Sequence, residues 1–171
     1  MFALFICDLQ QKFKPRIKNF ETMVQKTNQL ISATRTLKIP QITTEQYPKG
    51  LGKTVQDLQM DNIQIEEKTL FSMMIPKVDE FISKNQTSKV ILCGIEAHVC
   101  IFQTFLDLKN RGIQVYLAAD AIGAQKEHDY ELALCQMRQM GGIVMSTQSI
   151  IFQLLKSKDH PNFKEIASLF K

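Results

Sequence analysis

Three residues with complementary chemistry stand at the ends of apolar runs. Asp8 follows FALFIC, Lys68 follows IQIEE, and Cys100 comes a short turn after KVILCG. A cysteine is strongly nucleophilic only as its thiolate, and a helix N-terminus or a nearby ammonium group stabilises that form. Residues 88–112, SKVILCGIEAHVCIFQTFLDLKNRG, read as an apolar run, a glycine-containing turn and an amphipathic helix with Cys100 in its first turn. Asp8 is suited to accept the thiol proton and later to return it to a leaving group or take one from water. Lys68 would hold the charge balance. Together they form a Cys–Asp–Lys set for attack on a carbonyl-like carbon, with no histidine required. Each residue also has an ordinary role: a buried filler thiol, a helix-capping acid, a solvated lysine. Only a fold that gathers all three makes them a site.

The elements that must do so alternate along the chain. Apolar runs at 2–8, 39–45, 63–68, 89–94, 113–120 and 143–146 read as strands. Between them lie helical patterns. Residues 20–38 carry a stripe of Met23, Val24, Thr27, Leu30, Ile31 and Thr34; 76–85 open on Pro76; 127–142 end on two glycines. Residues 149–171 read as two short helices broken at His160–Pro161, with an apolar face that closes the domain or meets a second subunit. Repeated strand–helix–strand units imply one domain over residues 1–171. Its expected class is α/β: a doubly wound, three-layer α/β/α fold around a mostly parallel sheet of about six strands. The continuous apolar strands 1, 4 and 5 suit its buried middle. Sites in such sheets lie beyond the carboxyl ends of the strands, where strand order reverses. If strands 1 and 4 are neighbours there, Asp8 and Cys100 face one crevice and Lys68 can reach it.

A length of 171 residues suffices to bury a sizeable core, and a charge of +4 is modest and dispersed. The basic stretch KFKPRIK (12–18) alternates with apolar residues and contains a proline, so it reads as a solvated loop rather than a nucleic-acid contact. GLGKT (50–54) lacks the earlier glycine of a phosphate-binding loop, since Tyr47 stands there, and it follows the second strand rather than the first. Four cysteines without a CxxC pair suggest neither a zinc site nor a disulfide framework. The apolar start ends at Asp8, short of a membrane span and without a basic leader. A cytoplasmic location is therefore expected, with no membrane or nucleic-acid partner.

LFICDLQQKF, TEQYPKGLG, EKTLFS, VILCGIEAHVC, TFLDLKNRGIQVYLAADAIGA and HDYELALCQM carry a resemblance across nearly the whole chain. The sequence resembles the isochorismatase-like cysteine hydrolases, a family that includes nicotinamidases and N-carbamoylsarcosine amidase. It looks closest to the small isochorismatase-domain-containing proteins of eukaryotes and their bacterial relatives. The resemblance implies a catalytic set of Asp8, Lys68 and Cys100, a cis peptide between Ile95 and Glu96, and an oxyanion hole from the backbone N–H groups of Glu96 and Cys100. It also implies a homo-oligomer.

The departures narrow the chemistry. Nicotinamidases carry an aspartate–histidine metal site after the second strand, but TTEQYPKGLGKT (43–54) contains no histidine, and His98 reads as a helix-start residue. No metal and no cofactor are expected, and nicotinamide is disfavoured as substrate. Gln46 and Tyr47 are candidates to line a substrate pocket, with Phe13 and Phe71 as its apolar wall. The expected function is hydrolysis of a small carbonyl compound, an amide or related C–N bond, through a thioester. The alternatives are an interaction protein that keeps the fold with little turnover, and a redox-sensing Cys100 with Cys93 near it in space.

Overall fold

In the computed structural model, which describes residues 1–171, one six-stranded sheet runs through the molecule. Its strands are β1 (Phe2–Cys7), β2 (Gln41–Gln46), β3 (Gln64–Lys68), β4 (Lys89–Ile95), β5 (Gln114–Gly123) and β6 (Ile143–Met145). All pairings are parallel, in the order β3-β2-β1-β4-β5-β6. The expected α/β class is present, and strand order reverses between β1 and β4. Those two strands take the middle and are buried along all but their first residues, which is why they read as unbroken apolar runs.

The helices are α1 (Phe20–Thr36), α2 (Pro48–Leu51), α3 (Pro76–Lys84), α4 (Phe102–Asn110), α5 (Glu127–Gln139), α6 (Thr147–Leu155) and α7 (Phe163–Ser168). The whole stripe expected on α1 is buried. With α6 and α7 it covers one face of the sheet, over Leu4, Ile6, Ile91 and Cys93. Helices α3, α4 and α5 cover the other face, over Phe5, Cys7 and Leu92. The tail closes the domain: Ile150, Ile151, Leu155 and Ile166 are buried in the α1-side core. No helix is long and apolar enough to cross a membrane.

Two elements differ from the periodicity. Strand β5 continues to Gly123 because its pairing with β4 shifts between Leu92–Leu117 and Gly94–Ile122; this bulge lets the strand extend past its continuous apolar run. After the second strand, the segment around 48–51 forms the single turn α2, which Pro48 opens.

Two contacts hold the carboxyl edge of the sheet together. Gly94 lies opposite Cys7 with φ 115°, and a Cβ there would stand 2.1 Å from the Cys7 carbonyl oxygen. Only glycine permits the approach of β4 to β1 at this level. Glu45, buried at the end of β2, accepts from the Thr54 N–H (2.7 Å) and hydroxyl (2.8 Å) and pairs with Lys53 (3.2 Å). These bonds tie the segment after α2 back onto the sheet. Burial alone would raise the Glu45 carboxyl, but the Thr54 and Lys53 bonds outweigh it and hold the group below the ordinary glutamate range.

Replacing Gly94 by alanine forces backbone apart at the centre of the sheet, and urea unfolding should show a loss of about 3 kcal/mol. Glu45→Ala removes charged-acceptor bonds and should cost about 2 kcal/mol at neutral pH. Because the folded carboxyl titrates below the unfolded one, this contribution is complete above the ordinary glutamate range. It is lost as pH falls through the depressed folded value. Urea midpoints of the two proteins should therefore converge in acid; a gap independent of pH would assign the loss to packing alone.

Candidate active site

The carboxyl ends of β1, β3 and β4 meet at the reversal of strand order. Asp8, directly after β1, adopts φ 51°, a left-handed conformation that a short polar residue tolerates. Lys68 closes β3 and reaches past β2, so that its Nζ lies 2.7 Å from Asp8 Oδ2 and 3.6 Å from Cys100 Sγ. Cys100 sits in a π-helical turn, Ala97–Ile101, that runs straight into α4, rather than in the first turn of the α-helix itself. The three residues are 1%, 4% and 7% exposed, which encloses them almost completely.

Every strong group in this cluster has a partner. Asp8 Oδ1 accepts from the Thr44 hydroxyl at 2.8 Å. Lys68 Nζ also faces Gln46 Oε1 (2.6 Å) and the carbonyls of Leu70 (3.1 Å) and Phe71 (2.8 Å). Burial alone would lower the Lys68 ammonium, yet its acidic neighbours Cys7, Asp8 and Cys100 outweigh it and hold its pKa above the ordinary lysine value. Lys68 is thus a fixed positive charge. The Thr104 hydroxyl donates to the Cys100 carbonyl (2.6 Å) and accepts from the Met73 N–H (2.9 Å), fastening the loop after β3 to the cysteine turn.

The structure brings Asp8, Lys68, Cys100 and Gln46 into one contact network. Gln46 was expected to line a pocket; its side chain instead spans Lys68 and the Thr69 carbonyl, so it positions the lysine. The Ile95–Glu96 peptide is cis, as the resemblance implies, and the Glu96 carboxylate accepts two bonds from Gln125, each 2.9 Å. Tyr47 and Lys68 line an open depression of about 810 Å³. Phe71 is exposed beside the lysine that its own carbonyl holds. Phe13 is half-buried and packs on the α1-side core rather than lining that depression.

Sequence reasoning missed Cys7, Thr44 and Gln10. Cys7 Sγ, Cys100 Sγ and an Asp8 carboxylate oxygen lie within 4.8 Å of one another. Cys93, expected as the neighbouring thiol, faces the opposite side of the sheet. The signal available for Cys7 was the period of two, which puts it on one face with Ala3 and Phe5. Fully buried Gln10 clamps the Gln46 backbone, accepting from its N–H (2.8 Å) and donating to its carbonyl (2.9 Å) and to that of Gly52 (2.7 Å). Cys7, Asp8 and Cys100 have the donor types of a metal site, but the Lys68 ammonium already supplies the positive charge among them.

Comparison with known proteins places these features in a family. Residues 2–149 match the isochorismatase domain. The chain is 44% identical over 168 residues to isochorismatase domain-containing protein 2 of Danio rerio, covering 98% of this chain and 85% of that one. The Homo sapiens protein of the same description is 41% identical over 169 residues, covering 99% and 82%. A solved structure described as MAR1 ribonuclease from Caenorhabditis elegans superposes with a TM-score of 0.94 at 45% identity, covering 98% of this chain and 88% of that one. The family match takes in every strand of the sheet and all three clustered residues, and the chain belongs to the isochorismatase domain family.

Proposed function

We propose that the protein is a cysteine hydrolase of small carbonyl compounds, acting on an amide or related C–N bond. The observation that carries this reading is the buried contact of Lys68 with both Asp8 (2.7 Å) and Cys100 (3.6 Å). A lysine held charged beside a thiol offers the electrostatic partner that a thiolate needs. Asp8 takes the Cys100 proton, the sulfur attacks the carbonyl carbon, and Asp8 returns the proton to the departing nitrogen. Water deprotonated by Asp8 then adds to the thioester and releases the acid, and the thiol is restored. The negative oxygen of each tetrahedral intermediate is assigned to the N–H groups of Glu96 and Cys100. In support, the Glu96 N–H donates to no group within the chain. The enclosure of the triad favours a small substrate over a polymer.

A second reading, a binding module with little turnover, draws on the exposed side chains of Tyr47, Ile65, Leu70 and Phe71. Thiol reactivity separates the two. Iodoacetamide should alkylate Cys100 about tenfold faster at neutral pH than exposed Cys135, and Lys68→Met should remove that advantage. Cys93 should stay unmodified up to about pH 10, because burial pushes its thiol up to about 12. Peptide mass spectrometry after timed quenching resolves all four thiols. An ordinary or inert Cys100 would move the binding reading ahead.

Turnover is tested on a panel of small amides, with an RNA oligonucleotide included because the nematode relative is described as a ribonuclease. Cys100→Ala should lower kcat on any true substrate by about 1,000-fold. Undiminished turnover by that variant would sink the mechanism.

A further inference from the structure

Cys7 has no task in the reaction above, yet it stands against all of its machinery. Its side chain points from the end of β1 toward α4, on the same face of the sheet as Cys100. It is fully buried, its thiol donates to Asp8 Oδ2 at 3.4 Å, and its sulfur lies within 4.8 Å of Cys100 Sγ. Closing such a gap to a disulfide asks for a movement of no more than about 3 Å between the two sulfurs. The other two thiols cannot compete. Cys93 lies across the sheet, and Cys135 is exposed on α5.

We propose that Cys7 is the resolving thiol of a peroxide-reactive site: a small hydroperoxide oxidises Cys100, which then condenses with Cys7 to a reversible disulfide. The inference rests on the reading of Cys100 as a reactive nucleophile and adds to it a control by oxidants. In the first step the Cys100 thiolate attacks one peroxide oxygen and the O–O bond breaks. Cys100 becomes a sulfenic acid, and the displaced hydroxide leaves as water with a proton from the Asp8 carboxyl. In the second step the Cys7 thiol gives its proton to Asp8 as its sulfur attacks Cys100. The S–S bond forms, the S–O bond breaks, and the hydroxide departs as water with that proton. Two thiols lose two electrons, and one peroxide becomes two waters.

The arrangement supplies what each step needs. Lys68 sits 3.6 Å from the sulfur that is oxidised, and Asp8 touches the thiol that resolves it. Burial, followed by the Cys100 bond and the Asp8 charge, pushes the Cys7 thiol well above its ordinary pKa, with Lys68 opposing. Cys7 therefore stays a protonated spectator until Asp8 removes its proton in the second step. The disulfide takes Cys100 out of use but keeps it from sulfinic acid, which thiols cannot reduce.

The protein is treated with one or with two equivalents of hydrogen peroxide, and its peptides are mapped without reduction. Wild type should give a Cys7–Cys100 linked peptide, lose alkylation of Cys100, and recover it on dithiothreitol treatment. Cys7→Ala should instead give a Cys100 sulfenic acid that is labelled when dimedone is present and that, without dimedone, a second equivalent of peroxide carries to sulfinic acid beyond recovery, while Cys93→Ser should behave as wild type. Wild-type protein that accumulates dimedone-labelled Cys100 without the link would overturn the resolving role and leave the nucleophile standing. Cys100 inert to both peroxide and iodoacetamide would remove the nucleophile, and the switch with it. The wild-type map decides the matter even if Cys7→Ala does not fold.

Discussion

The ion pair of Lys68 with Asp8 is the constraint around which the carboxyl edge of the sheet is arranged. Two charges at 0% and 1% side-chain exposure have lost nearly all their hydration, and their mutual attraction repays that cost only when their remaining hydrogen-bonding capacity is met. Here it is met by parts of three different segments. β2 supplies Thr44 and Gln46, β1 supplies the Cys7 thiol, and the loop after β3 wraps two carbonyls over the ammonium. Removing one partner of such a pair strands the other in a dry site, at a cost of about 3–5 kcal/mol. A side chain long enough to cross a strand lets β3 contribute to this site from the far edge, with β2 between it and β1.

The cysteine depends on a different device. The turn that carries it must come down beside the end of β1, and β4 can approach there because residue 94 has no side chain. Thr104 then fixes the turn from α4, while Gln125 fixes it from the far side through Glu96. Cys100 is thereby fixed through backbone and through bonds from α4 and from the segment after β5. Its position relative to the lysine is a property of the sheet, not of a flexible loop.

Much of this was legible in the sequence. Asp8, Lys68 and Cys100 stood out because polar residues at the ends of apolar strands are conspicuous, and the switch-point rule says where such ends meet. Cys7 did not stand out, since a thiol inside FALFIC reads as packing. Strand alternation would have put residues 7 and 8 on opposite faces; the left-handed turn at Asp8 breaks that alternation and lets both side chains enter one crevice. No pattern announces such a turn at an aspartate. The contacts of Gln46 were not legible for a related reason. A polar residue at a strand end can face a ligand or a neighbour, and only the reach of Lys68 from another strand decides between them. Cys93, named as a neighbour of Cys100 in space, lies on the other strand face, which the alternation of Ile91, Cys93 and Ile95 does encode.

The grip of Leu70 and Phe71 on Lys68 separates two kinds of change that a family can undergo. Both residues hold the lysine through their peptide carbonyls, while their side chains, 59% and 58% exposed, point outward beside it. Peptide groups are common to almost every amino acid. Substitution at these two positions can reshape the rim without touching the charge beneath, so the rim is free to diversify while the buried ion pair stays constant.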